Sequence, residues 1–106
     1  MKSVHIRALA RQDIADHYVY LAEHADLAVA ERFLASVEMS FRDVADRPAM
    51  ATLLRTRDSR LAGMRKWRVR GFESFLILYQ PRQKGISIIR VLHAAQDWWR
   101  LLDIES

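Results

Sequence analysis

The chain has 106 residues, a formal net charge of +4, 51% hydrophobic residues and no cysteine. The hydrophobic content excludes an intrinsically disordered chain, and the length predicts a single domain over residues 1–106. The lack of cysteine excludes disulfides, thiolate metal sites and cysteine nucleophiles. The N-terminus lacks a secretory apolar segment and no run is long enough to cross a bilayer, so we expect a cytoplasmic protein without a membrane partner.

Positive charge is concentrated in the second half of the chain. Acidic residues outnumber Lys and Arg up to residue 50, and beyond it the cations are Arg55, Arg57, Arg60, Arg65, Lys66, Arg68, Arg70, Arg82, Lys84, Arg90 and Arg100. A basic half of this kind predicts an acidic partner, either nucleic acid or an acidic protein segment. For any single residue, a solvated strand face is the alternative interpretation.

The N-terminal half predicts a short strand and two amphipathic helices. Val4 and Ile6 alternate with polar residues, as in a strand with one buried face. Apolar residues then recur at helical spacing in two segments, Ala10–Ala25 and Ala30–Val44. The polar face of the first helix is predicted to hold Arg11, Asp13, Asp16, His17 and Glu23. Asp26 is the predicted N-cap of the second helix and Pro48 ends it, so the two helices form an antiparallel hairpin.

The C-terminal half predicts three strands in quick succession. No period is sustained over residues 48–63, where the side chains expected to face the interior are Met50, Leu53, Leu54 and Leu61. The strands are predicted at 64–70, 75–79 and 86–92, joined by short turns. In the first, Lys66, Arg68 and Arg70 are predicted to share the solvent-facing side, opposite Arg65, Trp67 and Val69. Asp97 is predicted to cap a short final helix containing Trp98, Leu101 and Leu102.

These elements predict an α+β fold with the order β-α-α-β-β-β-α. Short connections make the last three strands an antiparallel meander. The helical hairpin must then cover one face of the sheet, because each element has one apolar side to bury. We therefore expect a helical hairpin packed on an antiparallel sheet.

No motif for a metal, a cofactor or a nucleophile is visible, so we expect none of these. The four histidines, His5, His17, His24 and His93, are too scattered for a convincing ligand set. Arg90 and His93, at the end of the last strand, could clamp a phosphate and move a proton in a metal-free RNase. The alternative is structural: Arg90 pairs with a carboxylate, and His93 packs beneath the final helix.

Two adjacent tryptophans, Trp98 and Trp99, point about 100° apart if they lie in a helix. Both cannot then be buried in one core, so at least one is exposed or covered by a partner. Tryptophan is enriched at interface hot spots, which makes both candidates for a partner contact. Partial burial of both against the rim of the sheet is the alternative.

The chain resembles the ParE branch of the RelE/ParE toxin family over roughly residues 3 to 99. The segments that carry the resemblance are Ala10–Ile14, Gly63–Arg65, Leu76–Tyr79 and Ile88–His93 followed by Asp97. Gln96 departs from the pattern, since an arginine is frequent there.

RelE-like members cut mRNA on the ribosome with basic residues and a C-terminal tyrosine or histidine. In this sequence, Leu76 and Ile77 occupy the region where those members carry an arginine, and the C-terminal tail has no tyrosine. The residues that RelE-like members use for cleavage are therefore missing at these positions.

The resemblance implies a toxin that poisons DNA gyrase and is neutralised by a ParD-like antitoxin in a hetero-oligomer. A ribosome-dependent mRNA endoribonuclease using Arg90 and His93 is the second interpretation, and a non-toxic degenerate binding module is the third. We expect no sequence-specific DNA binding by the toxin alone. The predicted partner-binding residues are Lys66, Trp67, Arg68, Arg70, Trp98 and Trp99.

Overall fold

A computed structural model describes residues 2–54 and 59–95 of the chain. The elements are β1 (Ser3–Ile6), α1 (Ala8–His24), α2 (Leu27–Asp46), β2 (Thr52–Leu53), a 3-10 turn (Ser59–Leu61), β3 (Arg65–Val69), β4 (Phe72–Arg82) and β5 (Gly85–His93). This order confirms the predicted β-α-α-β-β-β succession and adds the two-residue strand β2. The predicted final helix lies outside the described residues. No helix in the described ranges is long and apolar enough to span a membrane.

The five strands form one sheet in the order β1-β5-β4-β3-β2. Strands β3, β4 and β5 are antiparallel neighbours, which confirms the predicted meander. The sheet as a whole is mixed rather than antiparallel, because β1 runs parallel to β5. No tight turn joins these two strands: the chain leaves β1 through the helical hairpin and reaches β5 only after the meander. The turns that enforce antiparallel pairing elsewhere therefore do not act on β1.

The helical hairpin covers one face of the sheet, as predicted. Asp26 caps α2, since its Oδ1 accepts a hydrogen bond of 2.8 Å from the Val29 N–H, and α2 ends at Asp46, two residues before Pro48. Phe33 is fully buried and its ring packs against Phe75 with centroids 4.8 Å apart. Around it lies the main core, formed with Ala10, Val37, Phe41, Val44, Val69, Ile77, Tyr79, Ile86, Ile88 and Val91.

A second, smaller cluster lies on the outer face of the sheet, away from the helices. Its buried members are Leu54, Met64, Leu78 and Leu92, with Leu61 and Ile89 packed against them. The expectation that the segment 48–63 turns its apolar side chains inward is therefore confirmed for Leu54 and Leu61. It is wrong for Met50 and Leu53, which are 42% and 51% exposed. Leu53 belongs to the two-residue strand at the edge of the sheet, where nothing described covers it.

Tyr79 fixes the segment that follows α2. Its ring is fully buried in β4, and its hydroxyl donates a hydrogen bond of 2.7 Å to the Pro48 carbonyl oxygen. Arg65 of β3 reinforces the same segment, with Nη1 2.6 Å from the Ala51 carbonyl oxygen. Burial raises the pKa of the Tyr79 hydroxyl, and the nearby Arg65 guanidinium offsets part of that rise. The neutral phenol is thus the form that the folded protein favours.

Replacing Tyr79 with Phe should change how stability depends on alkaline pH. A phenol whose pKa is raised by folding contributes stability that is fully present below the unfolded pKa of about 10 and is lost as pH rises through the folded pKa. Tyr79→Phe should lower the free energy of unfolding by about 1 kcal/mol at pH 7, because it removes the hydrogen bond to Pro48. Above pH 10 the difference from wild type should shrink.

Urea denaturation at pH 7 and pH 10.5 measures this difference. Tyr20→Phe is the control, because the Tyr20 side chain is 54% exposed and its replacement should change stability by less than about 0.5 kcal/mol. A constant difference between wild type and Tyr79→Phe at both pH values would contradict the prediction.

Candidate partner-binding site

A groove of about 760 Å³ runs along β3 and contains four of the six predicted partner-binding residues. We call it the β3 groove; its lining residues are Asp43, Thr52, Lys66, Trp67, Arg68, Val69, Arg70, Gly71, Glu73, Leu76 and Ala94. The other two predicted residues, Trp98 and Trp99, lie outside the described residues. Three of the lining side chains are cationic and two are acidic, so the groove is amphoteric with an excess of positive charge.

Two of the three cations extend from the outer face of β3, as predicted. Trp67 and Val69 pack towards the main core, so strand alternation places Lys66 and Arg68 on the opposite face. Lys66 is half-buried, whereas Arg68 is exposed and donates a hydrogen bond of 2.5 Å to the Glu73 carbonyl oxygen. This bond crosses the β3–β4 hairpin and holds the Arg68 guanidinium beside the groove.

Arg70 departs from the predicted row of cations. Strand β3 ends at Val69, and Arg70 with Gly71 forms the two-residue turn into β4, with a φ of 74° at Gly71. The Arg70 side chain reaches α2 instead of the outer face, and its Nη2 lies 2.6 Å from Asp43 Oδ2. The predicted alternation does not extend to Arg70 because the strand ends at Val69 and Arg70 lies in the turn.

The edge of β3 is only partly covered. Strand β2 pairs Leu53 with Arg65 and Thr52 with Lys66, and then ends. No strand in the described ranges pairs with the following residues of β3 on that side, Trp67 to Val69. An uncovered strand edge presents backbone N–H and C=O groups to any extended chain that arrives. The β3 groove therefore combines exposed cations, a half-buried tryptophan and an open strand edge.

Arg90 pairs with a carboxylate, as the structural interpretation predicted. Its Nε and Nη2 lie 2.7 and 2.8 Å from the two carboxylate oxygens of Asp13 on α1. The bidentate bond raises the pKa of the Arg90 guanidinium, so this side chain is charged at every accessible pH. His93 makes different contacts. Its ring packs edge-on against the Phe75 ring with centroids 4.9 Å apart, and its Nδ1 accepts a hydrogen bond from the Ala95 N–H. The predicted final helix above His93 lies outside the described residues.

The comparisons with known proteins identify the family. A family model described as "ParE toxin of type II toxin-antitoxin system, parDE" matches residues 4–98. The chain belongs to the ParE toxin family. A solved structure described as "Chromosomal ParDE TA system from P. aeruginosa" aligns with a TM-score of 0.69 over 88% of this chain and 96% of that one. At 16% identity that likeness establishes the fold alone. A search of curated proteins finds no match.

Sequence reasoning missed the role of Asp13 and His17 in this ParE-family toxin. Both were expected on the solvent-facing side of the first helix, but Asp13 is only 9% exposed and His17 is half-buried. Asp13 Oδ2 accepts a 3.0 Å hydrogen bond from the Val91 N–H, and His17 Nε2 donates a 2.8 Å bond to the Val91 carbonyl oxygen. Their spacing of four residues was the available signal, since it places two polar side chains on one helix face.

Asp13→Asn should destabilise this ParE-family toxin by about 3 kcal/mol at pH 7. The substitution leaves the Arg90 guanidinium, whose side chain is 17% exposed, without its counter-charge. Asp16→Asn is a matched control, because Asp16 is exposed on the same helix and accepts only a surface hydrogen bond from Gln12. It should cost less than about 0.5 kcal/mol.

Urea denaturation of both variants measures the difference. Adding Arg90→Met to Asp13→Asn should recover part of the lost stability, because it removes the unpaired charge. Equal stability of Asp13→Asn and Asp16→Asn would show that the Asp13–Arg90 pair contributes nothing to folding.

Proposed function

We propose that this ParE-family toxin inhibits DNA gyrase by direct binding, without catalysis, and that a ParD-like antitoxin neutralises it in the cytoplasm. The observation that carries the proposal is the family match over residues 4–98. The fold it shares with a chain of a ParDE system from P. aeruginosa supports an antitoxin of that kind.

The surroundings of Arg90 and His93 favour binding over RNA cleavage. Both carboxylate oxygens of Asp13 occupy the donors that Arg90 would need for a phosphate clamp. His93 packs against the Phe75 ring, and its Nδ1 already accepts a hydrogen bond from the Ala95 N–H. A metal-free RNase needs a free base and free cations around the scissile phosphate. Arg90 Nε and Nη2 and His93 Nδ1 are instead engaged in these structural hydrogen bonds.

The β3 groove is the surface that we propose for the antitoxin. A disordered segment that folds on binding loses conformational entropy, so it needs backbone pairing or apolar contact to compensate. The open edge of β3 at Trp67–Val69 offers backbone pairing, and the half-buried Trp67 offers apolar area. Arg68 and Lys66 add positive charge on the outer face beside that edge. An acidic, extended antitoxin segment fits these three features together.

Purified toxin should inhibit DNA supercoiling by gyrase, while ribosome-dependent translation proceeds normally. Its expression in a bacterium should cause filamentation and a DNA-damage response, because blocked gyrase stops replication. A supercoiling assay and a cell-free translation assay, run with the same toxin preparation, measure the two activities. Co-purified antitoxin serves as the control, since it should restore supercoiling.

Each alternative function gives a different outcome in these assays. mRNA cleavage that disappears in Arg90→Ala or His93→Ala would establish the RNase function instead. Unimpaired gyrase at a large excess of toxin would contradict the proposal. Absence of any growth effect on expression would indicate a non-toxic binding module.

Arg68→Glu should slow association with an acidic antitoxin and make the association rate less dependent on salt. Exposed charges at the rim of an interface mainly steer the encounter, and salt screens that effect. Arg11→Glu is the matched control, because Arg11 is exposed on α1 and the charge change is identical. Stopped-flow or surface-plasmon measurements at two salt concentrations give the rates.

Equal slowing by Arg68→Glu and Arg11→Glu would mean that only net charge matters. No effect of Arg68→Glu would place the antitoxin on another surface, most simply the helical hairpin. Hydrogen exchange gives an independent readout, since strand addition should slow exchange of the backbone amides at Trp67–Val69 in the complex.

A further inference from the structure

A second basic groove lies on the outer face of the sheet, at the corner where β1, β5 and the end of β4 meet. It has a volume of about 440 Å³ and is lined by Ser3, His5, Arg7, Arg82, Gln83, Lys84, Ile86 and Ser87. We call it the corner groove. None of its residues belongs to the β3 groove or to the cluster around Asp13.

Strand register brings the corner groove together from two distant parts of the sequence, residues 3–7 and 82–87. Ser3 pairs with Gly85, His5 pairs with Ser87, and Arg82 pairs with Gly85 on the other side of β5. Val4 and Ile6 pack with the main core, so Ser3, His5 and Arg7 face outward. Arg82 lies three residues beyond Tyr79, where β3 stops pairing with β4.

The backbone of the corner groove is held tightly. The Ser3 N–H and hydroxyl both donate to the Lys84 carbonyl oxygen, at 3.0 and 3.2 Å. A Cβ at Gly85 would lie 2.0 Å from the Ser3 carbonyl oxygen, so only glycine allows β1 to approach this closely. The turn that carries Arg82 and Lys84 is therefore fixed against β1 before any ligand arrives.

The cations that line the corner groove are Arg7, Arg82 and Lys84. His5, Arg7, Arg82 and Lys84 are exposed, and no carboxylate in the described residues lines the groove. By contrast, Arg42, Arg70 and Arg90 each pair with a carboxylate within 3.0 Å. Clustered like charges repel each other and oppose folding, so such a cluster is unfavourable unless an anion binds it.

The lining of the corner groove indicates the kind of anion. Arg and Lys side chains together with serine hydroxyls are the groups that contact nucleic-acid phosphates. Arg7 Nε lies 3.4 Å from the hydroxyl oxygen of Ser87, a side chain that is only 2% exposed. No phenylalanine, tyrosine or tryptophan in the described residues lines the groove, so the His5 imidazole is the one ring there, and Ile86 offers little apolar area.

We propose that the corner groove binds the phosphate backbone of duplex DNA without reading base sequence. Strands β5 and β4 separate β1 from β3, so a partner in the β3 groove leaves the corner groove accessible. The toxin can then contact a protein and DNA at once. This contact joins the corner groove to DNA alone, so it does not require gyrase to be the target of the toxin.

Fluorescence anisotropy with a labelled 20-bp duplex and purified toxin tests the proposal across a salt series. Arg82→Gln/Lys84→Gln should weaken binding roughly tenfold at low salt, because two phosphate contacts are lost. The slope of log K against log salt should become shallower by about 1.8, at about 0.9 per contact. Arg11→Gln/Arg32→Gln is the control, since it removes the same charge from exposed positions on the two helices.

The control variant Arg11→Gln/Arg32→Gln should change log K and the salt slope by no more than about a third of the changes expected for Arg82→Gln/Lys84→Gln. Equal weakening by both double variants would overturn the proposal, because binding would then depend on net charge alone. No binding of the duplex at low salt would overturn it as well. Poly-glutamate that binds more tightly than the duplex, with the same loss in Arg82→Gln/Lys84→Gln, would identify an acidic protein as the ligand instead.

Discussion

A carboxylate and an imidazole on α1 complete the hydrogen bonding of β5 in this ParE-family toxin. Strand β1 pairs with β5 only from Gly85 to Ile88, and the last ladder bond joins the Arg7 N–H to the Ile88 carbonyl oxygen. Beyond Ile88, the backbone N–H and C=O groups on this edge of β5 need other hydrogen-bond partners. Asp13 and His17 supply them at Val91, taking its N–H and its C=O in the way a neighbouring strand would. These hydrogen bonds fix the helical hairpin to the sheet in one register. That register sets how the side chains of the main core pack between them.

Arg90 makes this arrangement electrostatically possible. An uncompensated carboxylate at 9% exposure would be costly, and the bidentate guanidinium compensates it. The same contact engages the Arg90 nitrogens Nε and Nη2 in a structural ion pair. One ion pair thus joins α1 to β5 and contributes to fixing the position of α1 on the sheet.

Six further cations line two separate grooves. The β3 groove mixes Lys66, Arg68 and Arg70 with Asp43 and Glu73 beside an open strand edge, which suits an extended protein segment. Among the described residues, the corner groove is lined by cations and hydroxyls and by no carboxylate, which suits phosphates. Because strand order places them at opposite sides of β4 and β5, the two grooves are separate surfaces of different chemistry.

The elements themselves followed from local patterns. Helical spacing, the Asp26 cap, Pro48 and the alternation around Trp67 placed both helices and the meander correctly, since these signals act within a few residues of each other. The family resemblance likewise depended on short sequence segments that occur in a fixed order along the chain. The Lys66–Arg68 face of the β3 groove was predictable for the same reason.

Sequence alone therefore determined the order of β1, the two helices and β3 to β5, the antiparallel meander and the two outer cations of β3. Only the tertiary structure decided that β1 joins in parallel, that Arg70 turns towards Asp43, and that Asp13 is buried with Arg90. It also brought Ser3, His5 and Arg7 beside Arg82 and Lys84. These contacts join residues about 30 to 80 positions apart, as in the pairs Asp43–Arg70, Asp13–Arg90 and Ser3–Lys84. Local propensity carries no information about such pairs, because their energies depend on which edge of the sheet each segment reaches.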